Sequence, residues 1–459
     1  MAKTVLPVQL NQKFQGEVAS LRFNGMGIIW AQADYPIYVA DAIPGELVEV
    51  EIIQVDKKSA YGRIQRWLRP SPERENQDRQ YLVEAGTAPL VNWQYSAQLR
   101  WKNKQVRLAF QQAGLTVDVE PTVGMKQPTY YRNKTIVPLK WQDGELLTGF
   151  YQRGSHHLVS MTDYYVNDPK IDQAIETVRQ ILANLQVSAF DPDRQEGALR
   201  YLMVRRGYYS HELMVVLVSN ETTIPQLDEV VKAIVAALPE LKSLILNVSP
   251  KADYVLLSPH NQVLWGGGAI YDSLLGYRFL IGPNSFYQVN PPMTEKLYQL
   301  AAQAAQLQPS DLVVDAYSGI GTIGISVADQ VRQVIGVEVV AGAVADSKKN
   351  VAINQINNAD YILADAPDQF VDWAAQGIKP DVVIVDPPRR GLTHKLIEAT
   401  VQMQPQRLVY ISCNPVTAGR DCAQLAELGY QIIRPVIPVD QFPQTSHVET
   451  ITVLERLVP

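Results

Sequence analysis

The chain has 459 residues, 46% hydrophobic and 19% charged, with a formal net charge of −6; this is globular composition, and the length predicts about two to four domains. No apolar run reaches transmembrane length and MAKTVLPVQLNQK has no apolar signal-peptide segment, so no membrane partner is expected. The two cysteines, Cys413 and Cys422, cannot build a disulfide framework and point to a reducing cytoplasm, and without a CxxC or HxxxH pair no metal site is expected.

The charge is uneven. Residues 1–140 hold 18 Lys/Arg against 13 Asp/Glu, a balance of +5, which leaves 23 against 34, or −11, for the rest. A basic front end on an acidic body is compatible with RNA binding. Residues 1–68 alternate β-rich runs with Gly, Pro and Asp at about ten-residue intervals, and five such strands predict an OB-like barrel. Barrels of this kind bind single-stranded RNA through a basic groove with aromatic platforms. Lys57, Lys58, Arg63, Arg66 and Arg69 offer the charge, and Phe23, Trp30 and Tyr61 the stacking surface. Taken singly, each aromatic also fits the barrel core.

The stretch RPSPERENQDRQ (69–80) reads as a linker. Residues 81–280 mix helical stretches (98–113, 172–185) with β-rich ones (213–218, 243–248), predicting a central α+β domain. Within it TYYRNKTIVPLKW and GFYQRGSHHLV are rich in Arg, Lys, His and Tyr. They suit an RNA path or ordinary solvated strand faces. Residues 281–459 form the expected catalytic domain. After a helix over 293–306, strands and helices alternate regularly, which implies a parallel, doubly wound sheet of Rossmann type.

Ligands in such sheets bind at the carboxyl ends of the strands, and the motifs fall there. LVVDAYSGIGTIGISVAD runs from a strand into a glycine turn around Gly319, open to close approach by a ligand. Glu338 ends the next strand, where an acid can accept both hydroxyls of a ribose. Asp365 follows the third, placed for an adenine amino group or, equally, for a helix N-cap. This order suits S-adenosylmethionine better than NAD, since neither GxGxxG near the N-terminus nor a P-loop lysine is present. DPPRRG (386–391) follows the fourth strand. Its prolines fix a rigid wall for a planar base, with Asp386 at the rim and Arg389 and Arg390 able to meet phosphate. The fifth strand delivers Cys413 to the same edge, ahead of a helix whose N-terminus is expected to lower the thiol pKa.

A thiolate beside a methyl donor suggests uracil chemistry. Carbon 5 of uracil becomes nucleophilic once a thiolate has added at carbon 6, and a base must then remove the carbon 5 proton. TSHVETITVLER offers His447 and Glu449 on one face of the last strand, and Asp440 is a third candidate; the pattern does not choose among them.

SFYQVN (285–290), DAYSGIGT (315–322), GVE (336–338), DPPRRG, SCNP (412–415) and HVE (447–449) together resemble the RNA uracil-5-methyltransferase family, over essentially the whole chain. The resemblance implies an N-terminal TRAM barrel, a central domain and a C-terminal methyltransferase domain. Carried over by position, Cys413 is the nucleophile and Glu449 the base. Gln288, Tyr317, Glu338 and Asp386 contact S-adenosylmethionine, with Gly319, Thr322 and Asp365 in the same set. The expected RNA contacts are Phe286, Pro387, Arg389, Arg132 and Lys134. One departure is clear: YLVEAGTAPLVNWQYSAQLRWK (81–102) has no cysteine where many ribosomal-RNA members bind an iron–sulfur cluster, so no cluster is expected. The expected product is 5-methyluridine in 23S ribosomal RNA, with transfer RNA as the alternative, made by a monomer in the cytoplasm. The rivals are exocyclic-amine methylation, which also uses a DPP loop, and a non-catalytic RNA-binding factor. A target uridine must lie in a loop or be flipped out for attack at carbon 6.

Overall fold

The computed structural model describes residues 6–75, 79–152, 155, 157–191, 194–249 and 256–457. The first five strands, Lys13–Leu21, Gly27–Gln32, Tyr35–Val39, Leu47–Val55 and Ala60–Arg69, close a barrel in the order first, second, third, fifth, fourth. Alternation drives the closure: Val48, Val50 and Ile52 point inward from the fourth strand onto Val18, Ile29 and Ile37. Phe23 and Tyr61 are half-buried and Trp30 is exposed, so these aromatics lie outside the barrel core. Three of the basic residues face acids: Arg63 pairs with Glu51, Arg66 with Glu49 and Arg69 with Glu17. Exposed pairs of this kind hold weakly and can exchange partners.

Residues 76–78 of the expected linker lie outside the described residues. Residues 70–75 are not an open tether. Arg74 bonds Glu46 at 2.5 Å and Asp41 at 3.2 Å and stacks over Trp67, fastening this stretch to the barrel.

A seven-stranded sheet follows, in the spatial order Asn261–Gly266, Leu241–Val248, Leu213–Ser219, Leu199–Arg206, Lys134–Gln142, Glu145–Tyr151 and Leu158–Ser160. Every residue of Leu213–Ser219 is buried, because the sheet is covered on both faces. Helices Pro169–Asn184 and Leu227–Ala237 contribute to the core on one side. On the other, Met203, Met214 and Val216 pack with Phe279, Tyr287 and Leu297. Leu82, Ala85, Ala88 and Val91, from the cysteine-free stretch, pack with Tyr131 and Tyr164 in the first of these cores. That stretch offers no thiolate and does not fit a cysteine-held cluster.

The third unit is an eight-stranded sheet. Five parallel strands run in the order Ala359–Leu363, Gln333–Glu338, Leu312–Ala316, Val382–Val385 and Arg407–Ser412, continued by the antiparallel Glu449–Arg456, which in turn pairs with both Tyr430–Ile432 and Ile437–Val439. The order reverses between Leu312–Ala316 and Val382–Val385, which opens a crevice at their carboxyl ends. The expected multidomain architecture, with OB-like barrel, α+β layer and Rossmann-like sheet, is thus the observed one. The helix Tyr95–Gln112 is shared between units. Val106 and Phe110 from it pack with Ala418, Cys422 and Leu425 of Pro415–Glu427. Among the described residues no helix is long and apolar enough to cross a membrane.

Candidate active site

The turn after Leu312–Ala316 is held in an unusual backbone: Tyr317, Gly319 and Gly321 all have positive φ. For Tyr317 this is a strained conformation of the kind found around ligand sites. A side chain on Gly321 would collide with the Tyr361 ring at 2.8 Å, whereas Gly319 faces open space. Glu338 fixes the turn from the neighbouring strand, accepting the Gly319 N–H at 2.9 Å and the Val340 N–H at 2.8 Å. Val339, Val340 and Leu363, beside Glu338 and Asp365, are each more than half exposed. An apolar strip at this edge suits the face of a purine. Asp365 caps the helix Ala366–Ala375 by accepting the Asp368 N–H, and its charge reaches Tyr317. Thr322 shares a hydrogen bond with the Tyr298 hydroxyl at 3.1 Å. Gln288 arrives from the preceding loop, its carbonyl accepting from Asn133 Nδ2.

Two residues of this edge were not singled out from the sequence. Asp315 is fully buried, with Oδ2 accepting the Gly324 N–H while Oδ1 has no hydrogen-bond partner among the described residues. Burial, opposed by that bond, and the nearby Asp386 and Glu338 push its carboxyl up to about 7. Its signal was a lone acid in an apolar strand. The Tyr298 phenol, buried between Thr322 and the carboxyls of Asp386, Asp315 and Glu449, is held protonated; nothing local distinguished it. Asp315 Oδ1 and Ser318 Oγ, both without a partner among the described residues, are polar atoms that a bound ligand would satisfy.

Cys413 sits between Ser412, the last residue of its strand, and Asn414, the N-cap of Pro415–Glu427. The antiparallel register pairs Arg407 with Glu455 and Ser412 with Thr450; Cys413 directly follows that last pair and Glu449 directly precedes it, and the Glu449 charge acts on the thiol. The DPPRRG loop is tied to the same place: Asn414 Nδ2 and Thr417 Oγ1 both donate to the Arg389 carbonyl. Pro387 is buried beneath it and Phe286 is 66% exposed.

The electrostatics reverse one expectation. The Cys413 thiol is raised, not lowered. Burial, then Glu449 and Asp386, push it up to about 11 against the opposing Arg389, and the Asn414 side chain, not the sulfur, accepts the Val416 N–H. Burial pushes Asp386 up to about 7, and burial plus Asp386 raise Glu449 well above the carboxylate range. Iodoacetamide should therefore label Cys413 with a midpoint near pH 11 and leave the fully buried Cys422 untouched. Glu449→Gln, removing a negative charge, should move that midpoint down, and Arg389→Ala should move it up. A parent midpoint below pH 8 would contradict this arrangement.

The other candidate bases are engaged elsewhere. His447 lies 3.3 Å from the Arg389 guanidinium, its ring edge-on to Phe442. Asp440 is fully buried against Lys102 and Tyr95. Arg132, Arg389 and His447 line one cavity of about 270 Å³ between the α+β layer and the catalytic sheet. Lys134 is pushed down to about 7 by burial and by Arg205 and Arg132. Among the described residues neither Arg132 nor Lys134 has an acidic partner within 4 Å.

Comparison with known proteins agrees with this layout. The family model for tRNA (uracil-5-)-methyltransferase matches residues 94–457. A protein of Lactiplantibacillus plantarum named as an RNA methyltransferase is 46% identical over 456 residues, covering 99% of both chains. Its counterpart in Enterococcus faecalis is 38% identical, covering 98% of this chain and 99% of its own. Among solved structures, the Pyrococcus abyssi tRNA (uracil-54, C5)-methyltransferase in complex with S-adenosyl-L-homocysteine superposes with a TM-score of 0.77 and 26% identity, over 96% of this chain and 100% of its own. The chain belongs to the tRNA (uracil-5-)-methyltransferase family and is an S-adenosylmethionine-dependent RNA methyltransferase.

Proposed function

We propose that the enzyme methylates carbon 5 of a uridine in RNA, with Cys413 as nucleophile and Glu449 as base. The observation that carries this reading is the approach of Cys413 and Glu449, which flank the Ser412–Thr450 pair and interact electrostatically beside Asp386. The Cys413 thiolate adds to carbon 6 of the ring, and the electron pair moves to carbon 5. Bound S-adenosylmethionine supplies a methyl group on a positively charged sulfur. Glu449, whose proton affinity is raised by burial and by Asp386, takes the carbon 5 proton. The carbon 6–sulfur bond then breaks and its electron pair returns to Cys413. Arg389 is the cation placed to favour the thiolate.

The residues that would hold the methyl donor are Glu338 toward the ribose hydroxyls, Asp365 toward the adenine amino group, and Gln288, Tyr317, Gly319, Thr322 and Asp386 around the remainder. Phe286 and Pro387 would face the target base. Arg132, Lys134 and Arg389 would meet the RNA backbone, cations without acidic partners being suited to phosphate. Arg132→Met should weaken RNA binding and lower the slope of log affinity against log salt by about 0.7 for a single-stranded site. Fluorescence anisotropy across a salt series checks this, and an unchanged slope removes Arg132 from the path.

For the RNA itself we take 23S ribosomal RNA, because a barrel joined to a large middle layer resembles the ribosomal branch. Transfer RNA is the second reading, favoured by one observation: the P. abyssi enzyme acting on tRNA is matched along its whole length. Incubating the enzyme with each RNA and a radiolabelled methyl donor, then digesting to nucleosides, decides between them. Label in 5-methyluridine from only one RNA names the substrate, and label in an amino-methylated base instead would overturn the uracil reading. Action as a cytoplasmic monomer is part of the same proposal, and sedimentation tests the oligomeric state.

A further inference from the structure

Residues 440–448 connect the short strand Ile437–Val439 to the strand that opens with Glu449. This connection is not a surface loop. Asp440 and Gln441 are fully buried, and Gln444 and Ser446 nearly so. A buried loop must find partners for its polar groups, and here many of them come from outside the catalytic sheet. Lys102 Nζ donates to Asp440 Oδ1 at 2.5 Å and to the Phe442 carbonyl at 3.3 Å. The Tyr95 hydroxyl donates to Asp440 Oδ2 at 2.8 Å while accepting the Met125 N–H. Gln98 Nε2 donates to Gln444 Oε1 at 2.9 Å, and the Leu90 N–H reaches the Gln444 carbonyl. Tyr95, Gln98 and Lys102 share one helix, Tyr95–Gln112.

The grip lies one residue from the register partner of the proposed base. Val439 is the register partner of Glu449, and Asp440 follows Val439 directly. The Asp440 N–H also bonds the Val123 carbonyl, and the Val123 N–H bonds the Pro438 carbonyl. The strand opposite Glu449 is thus clamped at its end by Lys102 and Tyr95 and along its edge by Val123. A fully buried ion pair adds little stability over a well-packed apolar pair. What it adds here is a fixed place for Asp440.

We infer that Lys102, Tyr95 and Gln98 are positioning residues that hold Glu449 in line with carbon 5 of the substrate through Asp440 and its loop. Proton removal and product release therefore depend on a helix outside the catalytic sheet. This rests on Cys413 and Glu449 having the roles given above. It has a signature that general destabilisation lacks: misplacing the base leaves carbon 6 attack and methyl transfer intact and slows only the later steps, so methylated RNA stays bound to Cys413.

Full-length Tyr95→Phe and the charge-free double variant Lys102→Met/Asp440→Asn test it, each checked for cooperative melting. The double variant avoids a lone buried charge; if it does not fold, Tyr95→Phe decides. The expected result is adduct formation with 5-fluorouridine RNA at the parent rate, turnover on ordinary RNA lowered about 10- to 100-fold, and a detergent-stable methylated protein–RNA species with ordinary RNA. A folded variant with parental turnover and no such species would overturn the inference, as would equal losses of adduct formation and turnover. Absence of any 5-fluorouridine adduct in the parent would overturn the functional reading and this inference with it.

Discussion

Cys413→Ala should abolish methyl transfer to RNA, by on the order of 10⁴-fold or more, while the protein remains folded. Without the thiolate, carbon 5 of uracil never becomes nucleophilic enough to accept a methyl group, so no slower version of the same route survives. The side chain is half-buried at a strand end, and its truncation should cost about 1 kcal/mol or less. The fair control is Cys422→Ala. Cys422 lies in the core with Val106, Phe110 and Leu425, so this variant should lose some stability but keep the chemistry. Methyl incorporation and thermal melting on both variants check the pair. Activity in Cys413→Ala would favour amino-group methylation, which needs no thiolate.

Glu449→Gln should stop the reaction one step later. The amide matches the carboxylate in shape but cannot take a proton. Carbon 6 attack and methyl transfer go forward, the carbon 5 proton stays, and the enzyme remains joined to methylated RNA. Multiple turnover should fall about 10²–10⁴-fold, with an SDS-resistant complex forming at close to one RNA per protein. The pH dependence has a definite sign. Glu449 and Asp386 both raise the Cys413 thiol, so loss of the Glu449 charge lowers its pKa and adduct formation in the variant should begin at lower pH than in the parent. His447→Ala should instead weaken RNA binding through Arg389, its partner in the cavity beside Arg132, and accumulate no covalent species.

Much of this site could be read from local sequence because each motif sits where an apolar run ends. DAYSGIGT, DPPRRG and SCNP lie at the carboxyl ends of three neighbouring strands of a parallel sheet, and the strand–helix alternation brings them to one edge. Glu338 was legible for the same reason. What local sequence could not give was whatever depends on partners far along the chain. Alternation reads His447 and Glu449 as one face, but the strand opens only at Glu449, and its pairing against Arg407–Ser412 brings Glu449 to the end where Cys413 follows. Asp440 reads locally as a candidate base, whereas its carboxylate is bonded by Lys102, 338 residues earlier. The expected drop in the thiol pKa used the nearest signal, a helix start. Burial, with two carboxyl groups from separate segments, raises the thiol instead. The barrel was likewise legible in its punctuation, whereas the acids facing Arg63, Arg66 and Arg69 come from other strands.

The central claim is a covalent Cys413–uridine intermediate on the way to 5-methyluridine. Incubating the full-length enzyme with S-adenosylmethionine and RNA carrying 5-fluorouridine tests it most directly, since fluorine at carbon 5 cannot leave as a proton and the adduct persists. The account predicts a denaturation-resistant complex in which mass spectrometry places methylated fluorouridine on Cys413, absent in Cys413→Ala. Methylation of ordinary RNA by an enzyme that forms no such complex, or an adduct on any other residue, would contradict it.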